Sequence, residues 1–194
     1  MKSAFHIFVF TTAIVFTSCQ SKKETDAHNH ESTASSTTAP ADTLKKSIPK
    51  EEHLQIGSAH VMIKYHAPAV RGRTIWGGLV PYGDVWVAGA HSATTFEIDK
   101  DFIAGEKAIP AGKYALFTIP QRDKWTIIIN TNWDQHLADE YDQKEDLLRL
   151  DVTPEQLQNT QERLKYSIVS KGASDGSIEF SWEKIKVALP FTIK

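Results

Sequence analysis

Lys113-Tyr-Ala-Leu-Phe-Thr-Ile119 is introduced by the turn sequence Ile109-Pro-Ala-Gly112, stopped by Pro120, and followed across a short charged turn by Trp125-Thr-Ile-Ile-Ile-Asn130. Two runs of strand length, rich in β-branched and aromatic residues and separated by turn formers, predict a β-hairpin. The same pattern extends in both directions. Upstream, His60-Val-Met-Ile-Lys-Tyr65 alternates with period two and stops at Ala67-Pro68, and Val85-Trp86-Val87 and Thr94-Thr-Phe-Glu-Ile98 flank Gly89-Ala90-His91-Ser92. Downstream come Leu147 to Val152, Leu164 to Val169, Ser177 to Trp182 and Lys186 to Ile193. Helix is expected only for Asp134 to Tyr141, and for Pro154 to Thr160 with Thr153 as N-cap. Many short strands with no βαβ alternation predict an all-β fold: an antiparallel β-sandwich, jelly-roll-like or a partly open barrel, with one or two short helices.

The N-terminus obeys a different grammar. Met1-Lys2 carries one positive charge and Ala4 to Phe16 is almost wholly apolar, but a membrane-spanning helix needs roughly 20 apolar residues. A short basic start, an apolar stretch and then small residues form a secretory signal. Thr17-Ser18-Cys19 places the only cysteine of the chain directly after two small residues, where a lipoprotein signal peptidase would cleave and leave a lipidated Cys19. Phe16 departs from the Leu usual three residues before such a cysteine. From Gln20 to Thr43 the chain is Ser, Thr, Ala, Lys, Glu, Asp, Asn and His with Pro40. That composition cannot bury enough apolar surface to offset its ordering entropy. The expected organisation is therefore a signal peptide over 1–18, a tether over 19–47 and one domain over 48–194, in a cell-envelope protein held to a membrane by its lipid.

Composition limits the rest. With Cys19 used for the lipid no disulfide can form, so the domain must hold together by packing, for which five Trp, five Tyr and most of the nine Phe provide the material. The net charge of −2 is spread over interspersed Lys/Arg and Asp/Glu, which argues against nucleic acid as a partner.

Gly-rich phosphate loops, G-x-S-x-G elbows and H-E-x-x-H helices are missing from the sequence. Histidine remains. His66 stands at a strand end before Ala67-Pro68, His91 in Gly89-Ala-His-Ser-Ala-Thr-Thr95, and His136 in Asn132-Trp-Asp-Gln-His-Leu-Ala-Asp-Glu-Tyr141. Three neutral imidazoles converging from such loops would hold Zn²⁺ or Cu²⁺, with Asp139 or Glu140 as a fourth ligand or as the base on metal-bound water. The alternative is histidines that make ordinary hydrogen bonds in a non-catalytic ligand-binding or interaction module. His60 shares strand parity with His66 but lies roughly 20 Å along the strand, too far for the same ion. Arg71 and Arg73 could bind an anion through forked hydrogen bonds or anchor their loop on backbone carbonyls. Trp76, Trp86 and Trp133 could form a stacking surface for carbohydrate or belong to the core.

Tyr65-His-Ala-Pro-Ala-Val-Arg-Gly-Arg-Thr-Ile-Trp-Gly-Gly-Leu-Val-Pro-Tyr-Gly-Asp-Val-Trp86, Gly89 to Thr95, Ile109 to Pro120 and Trp125 to Asn130 together resemble the DUF2911 family of exported bacterial proteins, common in Bacteroidetes. The resemblance runs from about Leu54 to Lys194 and implies no particular activity. Where the wider family often reads Y-S-R-P-S-V-K-G-R and W-R-T-G-A-N, this chain has His66 for the Ser, His91 for the Asn and Val87 for an arginine. Two polar positions turned to histidine beside a lost cation are what gaining a metal site would look like, since a neighbouring arginine repels a dication.

Overall fold

The computed structural model describes residues 46–194. The expected signal peptide, Cys19 and most of the expected tether lie outside the described residues. Among the described residues ten strands build two antiparallel sheets that face each other, and neither closes into a barrel. The larger sheet takes β1 (Ile48–Ile56), β2 (Ala59–Ala67), β3 (Thr94–Ile98), β6 (Gly112–Ile119), β7 (Trp125–Asn130) and β8 (Asp146–Val152), in that spatial order. The smaller takes β5 (Lys107–Ile109), β4 (Phe102–Ala104), β10 (Asp175–Ile193) and β9 (Glu155–Ser170). The expected hairpin is β6–β7, in register from Ala115 opposite Asn130 to Ile119 opposite Thr126.

Strand β2 displays the rule that builds the sandwich. Ala59, Val61, Ile63, Tyr65 and Ala67 are buried between the sheets, while His60, Met62, Lys64 and His66 face outward. Side chains alternate across a strand, so a period-two sequence assigns one set to each face. Strand β10 keeps its apolar side inward by changing parity. Ile178, Phe180 and Trp182 are buried at even positions, and Ile185, Val187, Leu189, Phe191 and Ile193 at odd ones. The change occurs at Glu183, where the register against β9 shifts on both sides and φ is +55°. The surplus residues lie on β9, whose partners run from Lys165 to Gln156 while β10 advances only from Ser181 to Ile185, and on β10 the left-handed backbone at Glu183 returns the apolar set to the core.

Strands β6 and β7 are apolar on both faces. Tyr114, Leu116, Trp125, Ile127 and Ile129 join the core between the sheets, whereas Ala115, Phe117 and Ile128 form a second, smaller cluster with Val87 and Ala93. The second cluster is covered by the segments around 85–93 and 131–141, which contribute Trp86, Ala138 and Tyr141. These continuous apolar runs thus signal strands buried on both sides. Trp86 makes a single bridge to Thr118 beyond the end of the β3–β6 pairing, in place of the expected strand over Val85 to Val87.

Neither expected helix forms. Among the described residues the only helix is a 3₁₀ turn at Gln143–Glu145, capped by the Asp142 carboxylate, which accepts from the Lys144 N–H at 2.9 Å. Pro154 to Thr160 contains one large apolar side chain, Leu157, and so offers no stripe for a helix to bury. Its residues from Glu155 onward begin β9, where Glu155 and Gln156 pair with Lys186 and Ile185. Asp134 to Tyr141 is a run of turns. Its backbone is engaged elsewhere: Ala93 N–H donates to the Gln135 carbonyl at 3.1 Å and Leu137 N–H to the His91 carbonyl at 2.7 Å. A φ of +49° at Leu137 is incompatible with a right-handed helix.

Candidate functional site

The two covering segments bring the histidines toward one end of the larger sheet. His66 lies near the end of β2 on its outward face. The Val87–Thr94 segment folds tightly against it. Thr94 Oγ1 donates to the Ala88 carbonyl at 3.0 Å, the buried Tyr166 hydroxyl donates to the same carbonyl at 2.8 Å, and Ala88 itself has φ of +51°. Gly89 is required by crowding: a Cβ there would lie 2.7 Å from Thr94 Oγ1 and 3.3 Å from the His66 carbonyl oxygen. The turn then places His91, at φ +65°, beside His66 with ring centroids 5.2 Å apart and ring planes at 84°. Burial, and secondarily the neighbouring His91, lower the His66 pKa below its ordinary value, so the imidazole is neutral at neutral pH.

His136 arrives from the other segment. It bridges Ser92, the neighbour of His91, in antiparallel fashion. Its Nδ1 lies 2.8 Å from Asp139 Oδ2, and both side chains are largely exposed. Directly bridged residues share a face, which places His136 with Ser92. Among the described residues no group of three or more His, Cys, Asp and Glu side chains is gathered to hold a metal ion. His66 and His91 meet, therefore, while His136 is engaged with Asp139. Glu140 enters through its backbone: its N–H donates to Gln135 Oε1 at 3.2 Å and its carbonyl accepts from Asn132 Nδ2 at 3.3 Å. His60 lies beside His53, with ring centroids 5.6 Å apart and planes tilted by 37°, toward the other end of β2.

The loop carrying His136 is pinned by groups that form no motif. Buried Asn130 donates through Nδ2 to the Asp142 carbonyl and to Asp146 Oδ1, and accepts from the Asn132 N–H. Tyr141 donates to Asp146 Oδ2 at 2.7 Å, and Arg149 Nη1 donates to both the Tyr141 hydroxyl at 2.8 Å and Asp146 Oδ2 at 2.9 Å. Burial, followed by the bond to the Asp146 carboxylate, pushes the Tyr141 phenol up to about 12. The only trace of this network in the sequence is polar Asn130 closing an apolar run.

Two hollows flank the histidines. A groove of about 440 Å³ on the sheet's outer face is lined by Lys64, His66, Thr95, Lys113, Trp133 and Gln135 among others, with Lys113 Nζ 3.6 Å from the Trp133 ring centre. A cleft of about 540 Å³ is bounded by Arg71, Arg73, Trp86, Val87, Leu137 and Trp182 among others. Arg73 anchors its own loop, donating from Nε to the Val70 carbonyl at 3.1 Å and from Nη2 to the Ala69 carbonyl at 2.5 Å. Arg71 donates its backbone N–H to Glu162 Oε1 at 2.8 Å and has φ of +54°. Trp76 and Trp86 pack with Trp125 and Trp182 in a cluster that reaches the cleft, while Trp133 stands apart and exposed. In the sequence Trp182 reads only as the end of the strand Ser177 to Trp182; its place at the cleft comes from tertiary packing beside Trp86, with ring centroids 5.7 Å apart.

An open antiparallel β-sandwich with a histidine pair and two hollows beside its covering segments defines the class. The match to the family described as a protein of unknown function, DUF2911, spans residues 47–191, and the chain belongs to that family. No significant match to a curated protein or to a solved structure was found.

Proposed function

We propose that this is a lipid-anchored envelope protein whose domain binds a divalent transition metal, Zn²⁺ or Cu²⁺, on His66 and His91. The carrying observation is their ring-centroid separation of 5.2 Å. Two imidazoles bound to one tetrahedral ion through nitrogens at about 2.0–2.1 Å would have centroids roughly 5.2 Å apart. The neutral state of His66 supports the reading, because only a neutral imidazole donates to a metal. His136 would be the third ligand after a side-chain rotation. Both side chains of the His136–Asp139 pair are largely exposed, so no packing resists the pair turning together. In the ligand role Asp139 would orient the ring from Nδ1 and leave Nε2 for the metal, a usual partnership for metal-bound histidine. The reading is metal binding or delivery. Asp139 is committed to His136, and Glu140 contributes its backbone to the loop, so neither geometry favours a base for hydrolysis.

The test is metal content and calorimetric titration of the mature chain carrying no histidine tag. One Zn²⁺ or Cu²⁺ per chain is expected, lost in His66→Ala and in His91→Ala, weakened in His136→Ala and retained in His60→Ala. Equal binding by wild type and His66→Ala would refute it. A second reading, ligand capture without catalysis, is favoured by the cleft beside the histidines, whose size lies within the roughly 300–1,000 Å³ typical of small-molecule sites.

A further inference from the structure

We infer that the cleft bounded by Trp86, Trp182, Leu137 and Arg73 takes a small carboxylate with an apolar body; the inference rests on the ligand-capture reading and is independent of the metal. The lining has two chemistries. Val80, Val85, Val87, Leu79, Leu137 and the two indoles give an apolar wall, and Leu79 and Leu137 remain exposed at its rim. Lys46 and Arg73 bring cations to the same cleft, whose one lining carboxylate, Asp139, is already paired with His136. A cationic rim over an aromatic wall selects an anion that carries an apolar tail rather than a sugar or a free inorganic ion.

Arg73 is the anchor for the carboxylate. Its two contacts to the Ala69 and Val70 carbonyls use two of its five N–H donors, fix the guanidinium in place and leave its charge without a carboxylate partner among the described residues. A planar fork held in this way is suited to a carboxylate. A second, independent feature points to a ligand. Trp182 is 1% exposed, lines the cleft, and its buried indole N–H finds no protein acceptor. A ligand oxygen would provide one. Backbone strain is concentrated at the same place: Arg71, Ala88, His91 and Leu137 are four of the five non-glycine residues with positive φ among the described residues, and Arg71 and Leu137 line the cleft. Strain of this kind persists where surrounding structure enforces a particular arrangement.

The experiment titrates the ¹⁵N-labelled mature chain with octanoate and, separately, with octanol, following the five tryptophan indole N–H resonances. Octanoate is expected to move the signals of Trp86 and Trp182, to leave exposed Trp133 in place, and to bind at least about tenfold more tightly than octanol. Leu137→Asp, at the exposed rim, is expected to weaken octanoate about tenfold or more and octanol much less; Arg73→Gln should abolish the preference for the acid. Because Arg73 also holds its loop, the rim variant carries the test if Arg73→Gln fails to fold. Equal affinity for octanoate and octanol would overturn the carboxylate assignment while leaving ligand capture standing. The absence of any shift at Trp86 and Trp182 at millimolar concentrations of either compound would overturn both.

Discussion

Replacing Asp146 by alanine isolates what holds the His136 loop to the sandwich. The Asp146 side chain is 4% exposed and accepts three hydrogen bonds, from Tyr141, Arg149 and Asn130. Bonds to an ionised acceptor contribute about 1.5–3 kcal/mol each, and they do not add. Arg149 is 34% exposed, so water takes over its lost contact and its share is small. Asn130 is wholly buried and would keep its bond to the Asp142 carbonyl but lose the other; an unsatisfied buried N–H costs about 1–3 kcal/mol. The sum is a loss of about 3–4 kcal/mol, near the lower end of the range for breaking a buried charged pair. At about 2–4 °C per kcal/mol for a domain of this size, Tm should fall by roughly 10 °C. The same substitution carries a spectroscopic signature. Burial, and then the bond to Asp146, push the Tyr141 phenol up to about 12, so its tyrosinate absorbance should appear at lower pH in the variant. The sign follows for the wild type as well: between the unfolded phenol value of about 10 and the folded value of about 12 the folded chain keeps a proton the unfolded chain has released, and stability falls as pH rises through that window. Denaturant melts and an ultraviolet pH titration of Asp146→Ala test both. A loss below about 1 kcal/mol with an unmoved Tyr141 would refute the account of the loop.

Gly89→Ala should destabilise the domain by about 1–3 kcal/mol, because the added methyl would enter 2.7 Å from Thr94 Oγ1 and loosen the seat of His91; an unchanged denaturation midpoint would show that the segment yields freely. The folded His66 pKa is depressed, mainly by burial and then by His91. Stability should therefore be lost as pH falls from about 6.5, where the unfolded histidine begins to take its proton, down through the lower folded value, and His66→Gln should flatten that part of the profile in a melt series. For anchoring, Cys19→Ala should be neither acylated nor cleaved at that position, and a mass spectrum of the wild-type protein with unmodified Cys19 or a different start would exclude the lipid anchor.

The sandwich was legible because its strands bury one face each and so write a period-two code. His60-Val-Met-Ile-Lys-Tyr65 separates inside from outside without reference to any other part of the chain. The continuous apolar runs of β6 and β7 were equally plain as strands, but what covers their outer face was not written in them. The two expected helices failed for the opposite reason. Asp134 to Tyr141 and Pro154 to Thr160 have local features that permit a helix, and their backbone hydrogen bonds went instead to His91, Ala93 and β10. Local preference of a few tenths of a kcal/mol per residue yields to such tertiary pairing.

What the sequence determined by itself was the all-β class, the β6–β7 hairpin, the shared face of His60 and His66 on β2, and the family. What only the tertiary structure decided was proximity. His66 and His91 meet because Ala88 and His91 adopt positive φ and Gly89 packs on the β2 backbone, a conformation set by contacts with Thr94 and Tyr166 far along the chain. The cleft forms where a single bridge at Trp86 brings that indole beside Trp182 and the covering segments set Val87 and Leu137 along them. Spacing along a chain records which face a side chain takes within one element. Distances between elements depend on loop conformation and register, which arise only when the whole domain packs.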